Sequence, residues 1–183
     1  MTKEEIIIAT EKISTQLSQT CNAISEAVFF EWPEDKWSVA DNIKHLILSI
    51  NTTTLAYKLP KFFVRLIGGK PNRISRSYDE VLAKYYKKLE EGGKASSRYV
   101  PIRHKPNTGN QILAKKILLD RWNKYNQNFI SALTNNRTEN DLDNYLIKHP
   151  LLGKITLREL CYFTIFHTEH HLNSILKRTS TQA

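Results

Sequence analysis

A chain of 183 residues, about 40% of them hydrophobic, suits one soluble domain with a core of its own, here taken as 1–183. No apolar run approaches the roughly 20 residues that a membrane helix needs, so a spanning segment is excluded and no membrane partner is expected. The net charge of +9 is unevenly placed: Lys58 to Lys105 holds 13 Lys and Arg against four Asp and Glu, which is the whole imbalance. The opening MTKEEIIIATEK carries acids where a signal peptide would be basic, and a cytoplasmic protein is expected. Cys21 and Cys161 stand alone, with no CxxC pair, and read as buried small hydrophobes rather than a disulfide framework.

Four long helices are predicted in chain order. The first covers about 3–29, where Ile6, Ile13, Leu17, Cys21, Ile24 and Val28 recur at helical steps and Pro33 follows as a breaker. The second begins after Ser38, an N-cap with Asp41 three residues on, and carries Val39, Ile43, Leu46, Ile47 and Ile50 on its apolar arc. A basic connection over 58–107 follows, with a loop at GGKPN (68–72) and a short extra helix within 77–93 that ends at Gly92. Such a length is a crossover rather than a tight turn. The third helix is predicted over about 108–133, with Ile112, Leu113, Ile117, Leu118, Trp122, Tyr125, Phe129 and Leu133 as its stripe. A connector follows, with a turn of helix near 138–143 and an extended HPLLGKI segment; no hairpin-forming strand pair stands out. The last helix starts at a Thr156/Glu159 capping box with Ile155 and Leu160 as a staple, and runs to about Lys177. The fold class expected is all-α: a four-helix bundle with a long crossover between the second and third main helices.

The stretch FHTEHHLNS (166–174) holds three of the six histidines. On a wheel of about 100° per residue, His167 and His171 share the apolar stripe with Leu160 and Thr164, whereas His170 falls on the flank beside Phe163. Two imidazoles at i and i+4 can reach one metal ion, although HTEHH leaves Glu169 out of the place of an HExxH base. Equally, they can be inward histidines held by hydrogen bonds. His45 lies on the second helix at the edge of its apolar arc, where periodicity reads it as solvated or hydrogen-bonded.

Two motifs together resemble a known family. WSVADNIKHL (37–46) is similar to the tryptophan-serine and helix-borne histidine motif of the DinB-like superfamily, and GKITLRELCYFTIFHTEHHLNSI (153–175) is similar to its last helix. The resemblance implies a four-helix bundle that holds a divalent metal, zinc or nickel first, on His45, His167 and His171. Where that family often has a glutamine near the end of the last motif, this chain has Asn173 and Ser174. The resemblance also implies a metal-dependent enzyme, either a transferase using a low-molecular-weight thiol such as bacillithiol or a hydrolase. Such thiols carry carboxylates, so an anionic small-molecule substrate is expected, with Arg73, Arg76 and Arg103 of the basic crossover as an anion-binding rim. Asp41, one turn before His45, reads as its orienting partner or as a helix-capping carboxylate. Trp37 reads as lining the site or as a packed aromatic. The competing reading is a non-enzymatic module that binds metal, or that binds an anion or nucleic acid through 58–105; without a nucleic-acid motif, that last partner is not favoured. A homodimer is compatible with a bundle that has spare apolar surface.

Overall fold

The computed structural model describes residues 1–32, 36–94, 96–102 and 110–180. Four long helices form the bundle: α1 (Lys3–Ala23), α3 (Val39–Lys58), α6 (Gln111–Asn136) and α8 (Leu157–Ser180). Each packs on two others, α3 on α6 and α8, and α1 on the same two, so the four close into a ring around one core. Trp122, Phe29, Phe129, Phe166, Ile6 and Leu17 fill it, all fully buried. This is the all-α bundle with a long crossover between its second and third main helices.

The helix starts follow the expected side-chain chemistry. The Ser38 hydroxyl accepts from Asp41 N–H and the Asp41 carboxylate accepts from Ser38 N–H, which satisfies two N-terminal donors of α3. Thr156 and Glu159 exchange the same pair of bonds at the start of α8, each at 3.2 Å. Ser77 opens α5 (Tyr78–Glu90), which supplies the extra helix of the crossover, and Gly92 follows it at φ +85°.

Several expectations need correction. The first helix does not reach Phe29: α1 stops at Ala23, and Ser25 caps a separate five-residue α2 (Glu26–Phe30). The break is held by Lys115 of α6, whose buried ammonium donates to the carbonyls of Asn22 and Ile24 and pairs with Glu26. The first turns of α6 do not bury the expected stripe; Ile112, Leu113 and Ile117 are exposed, and the buried apolar side chains begin at Leu118. The crossover holds a second helix, α4 (Lys61–Gly68), besides α5 and a single 3-10 turn (Ser97–Tyr99). The connector contains α7 (Glu139–Asn144) and then a true hairpin, β1 (Leu146–His149) paired antiparallel with β2 (Gly153–Thr156). Its turn lacks the usual Asn-Gly signal. Instead the His149 ring closes it, Nδ1 accepting from the N–H groups of Leu151 and Leu152.

Candidate metal centre

The bundle brings His45 from α3 against His167 and His171 from α8. All three are buried, at 4, 6 and 7% exposure. His45 Nε2 lies 3.0 Å from His167 Nε2, and His171 Nε2 lies 3.2 Å from the same atom. One candidate ligand atom from each ring falls within 4.8 Å of the other two.

The rings are fixed from behind. His45 Nδ1–H donates to the Tyr99 carbonyl at 2.7 Å, and His171 Nδ1–H donates to Asn42 Oδ1 at 2.6 Å. The Asn42 amide is oriented in turn, because its Nδ2 donates to the Ser38 carbonyl at 2.8 Å. A carbonyl cannot donate, so both Nδ1 atoms carry protons and both Nε2 atoms present lone pairs. Burial, and then the neighbouring imidazoles, hold His167 and His171 well below the ordinary histidine range. Burial also lowers His45, partly opposed by its bond to Tyr99. The three rings are therefore neutral near pH 7.

This donor set fits a divalent cation. A neutral His167 can donate its Nε2 proton to only one of its two neighbours, leaving a buried acceptor facing an acceptor. A metal ion satisfies all three lone pairs at once, and imidazole is a common ligand of zinc, nickel, copper and iron. The Nδ1 bonds to Tyr99 and Asn42 are the outer contacts that such ligands commonly have.

The three rings line a cavity of about 240 Å³. Phe163 stacks on His167 with centroids 4.7 Å apart, and Trp37 lies nearly parallel to the His171 ring at 6.0 Å. Tyr85 from α5 and Leu151 from the hairpin turn add apolar wall, and Ser49 and Thr53 add hydroxyls. Lys94 and Lys148, both exposed, are its cationic lining residues. His170 also lines the cavity, beside His171, but does not join the three-ring cluster.

The family model of the DinB superfamily matches residues 9–175. The chain belongs to the DinB superfamily. No curated protein and no solved structure matches it. Superfamily membership and the buried histidine triad together fit a metal-dependent enzyme.

The other sequence candidates are placed elsewhere. Arg73 and Arg76 do not line the cavity. Both turn to Glu159, whose carboxylate is fully buried; Arg73 Nη1 and Nη2 reach it at 2.5 and 2.8 Å, and Arg76 at 3.3 Å. Burial raises the Glu159 pKa, but the Arg73 guanidinium and the backbone N–H groups of Arg76 and Thr156 outweigh it and leave the group below its ordinary value. Arg103 lies outside the described residues. Asp41 caps α3 and is not bonded to His45; the orienting role falls to Tyr99 and Asn42, which periodicity did not single out. Asn42 does sit within the WSVADNIKHL motif, and its spacing of three residues from His45 was the available signal. Trp37 lines the site. Both cysteines are buried with thiols pushed up to about 12, so neither is a nucleophile near neutral pH.

Proposed function

We propose that this chain is a metal-dependent transferase that joins a low-molecular-weight thiol, of the bacillithiol, mycothiol or glutathione type, to an electrophilic carbon. The observation that carries the reading is the convergence of three buried, neutral imidazoles in the wall of one cavity. A divalent ion held there, zinc or nickel, supplies Lewis acidity that lowers the pKa of a thiol or water brought to it.

The protein's own residues do the rest. Tyr99 and Asn42 fix the ring tautomers, so the Nε2 lone pairs stay aimed inward. Trp37, Phe163 and Tyr85 exclude water from the walls and offer apolar area to an electrophile. Lys94 and Lys148 favour an anionic substrate and a developing thiolate over a cation. In the net reaction, sulfur forms a bond to carbon, the leaving group departs with its electron pair, and the thiol proton passes to solvent.

Hydrolysis is the second reading. Its support is the donor set, since three histidines with an open position also suit activation of water. The test begins with metal content of wild type, His45→Ala and His171→Ala. About one ion per chain is expected in wild type, with loss in both variants. The loaded protein is then given a thiol with an electrophilic bimane dye, and separately ester and amide substrates. Thiol-dependent conjugation that disappears on chelation supports transfer. Thiol-independent cleavage favours hydrolysis, and metal binding without either turnover leaves a non-catalytic metal module.

A further inference from the structure

The helix α4 presents an apolar surface to solvent. Phe62, Leu66 and Ile67 are 70, 69 and 66% exposed, and Phe63 is 48% exposed. At about 100° per residue these four cover one continuous arc. Val64 and Gly68 occupy the opposite side and are buried. Single exposed apolar residues are ordinary, but four bulky ones on two turns of one helix mark an interaction surface.

The helix is clamped in this orientation. A Cβ on Gly68 would stand 1.8 Å from the Leu146 carbonyl oxygen, so only glycine allows α4 to sit this close to β1. Arg65 lies over the Tyr145 ring at 4.7 Å, and Lys61 pairs with Asp141 at 2.7 Å. The outward face is therefore not a helix waiting to fold onto the bundle.

Charge decides what covers it. Arg65 borders the apolar arc on one side, and the exposed Lys58 and Lys70 flank it along the chain, whereas Lys61 lies towards the buried side and pairs with Asp141. It lies in the segment with 13 basic and four acidic residues. A two-fold contact between copies through α4 would set this positive region against itself. An anionic phospholipid surface instead accepts the aromatic and aliphatic side chains while its headgroups meet the cations. A helix lying in the interface needs no spanning length.

We propose that α4 docks this protein on anionic phospholipid membranes, with Phe62, Leu66 and Ile67 entering the headgroup boundary and the exposed Lys58 and Lys70 meeting phosphates. The proposal is independent of the reaction assigned to the histidine site. The test is co-sedimentation of the full chain with vesicles of phosphatidylcholine alone and of phosphatidylcholine mixed with phosphatidylglycerol. Wild type is expected to bind the mixed vesicles, to bind neutral ones far less, and to release as salt rises. Phe62→Ser with Leu66→Ser should lower partitioning about tenfold or more. Lys58→Gln with Lys70→Gln should lower it about tenfold on anionic vesicles. Unchanged thermal melting shows that both variants fold. Equal binding to both vesicle types, or none, overturns the proposal. So does retained binding by the serine variant, or a dimer in solution that this variant dissolves, which would make the patch a contact between copies.

Discussion

Asn42→Ala separates the support of the metal centre from its ligands. The residue touches His171 through a single 2.6 Å bond to Nδ1, and its own amide is held by Ser38. Removing it frees the His171 ring to choose its tautomer. With the proton moved to Nε2, the ring can donate to His167 and loses the lone pair that a metal needs. The fold should tolerate the change, because alanine suits the first turn of α3 and the switched tautomer keeps one ring nitrogen paired. Losing such an outer contact weakens metal affinity about 10–100-fold, which is about 1.4–2.7 kcal/mol. At fixed metal well above both dissociation constants, metal-linked stabilisation should shrink by about the same amount. Isothermal titration with zinc gives the affinity, and melting with and without metal gives the linkage. One ion per chain should still bind at saturation. Asn42→Asp should bind at least as tightly as wild type, because a carboxylate there raises the basicity of the ring. Wild-type affinity in Asn42→Ala would refute the claim that this bond sets the tautomer.

Three further outcomes are expected. Glu159→Gln should cost about 2–4 kcal/mol in urea unfolding, because two guanidiniums lose a fully buried carboxylate, moderated by the arginines' partial exposure. Gly68→Ala should destabilise by about 1–3 kcal/mol, because its Cβ forces α4 away from the Leu146 backbone; urea unfolding checks it. His149 is held at about 4 by burial, and its Nδ1 is already occupied by two backbone N–H groups. The unfolded ring titrates near 6.5, so the unfolded chain takes up the proton first. Stability from this group is complete above about pH 6.5 and is lost as the pH falls towards 4, by up to about 3 kcal/mol. His149→Gln should flatten that part of the stability–pH curve, and an unchanged slope would count against it.

The bundle was legible because its helices announce themselves locally. Ser38 with Asp41 and Thr156 with Glu159 form the reciprocal bonds that their spacing implies. The inward pair on α8 was legible too, since His167 and His171 keep the period of a buried face. The hairpin was not, because four-residue strands show little alternation and its turn is closed by a histidine ring rather than by turn residues. The helix α4 was missed for a related reason: eight residues are too few to establish a period. The end of α1 at Ala23 depends on Lys115, more than 90 residues away, and no local pattern reports such a contact.

His45 shows where periodicity ends and tertiary structure begins. The wheel of α3 sets it at the margin of the apolar arc, yet it is 4% exposed. What buries it is the crossover: the 3-10 turn brings the Tyr99 carbonyl onto Nδ1, while Trp37 lies 4.8 Å from its ring. The same connection supplies Tyr85 to the cavity wall and Arg73 to Glu159 at the foot of α8. The basic segment is thus part of the site's construction. Its inner residues orient one candidate ligand and close the cavity, and its outer residues carry the exposed charge. A ligand that needs a distant segment to become buried cannot be recognised from the periodicity of its own helix. The motif that includes Trp37 and Asn42 records it, because those residues contact the ring cluster directly.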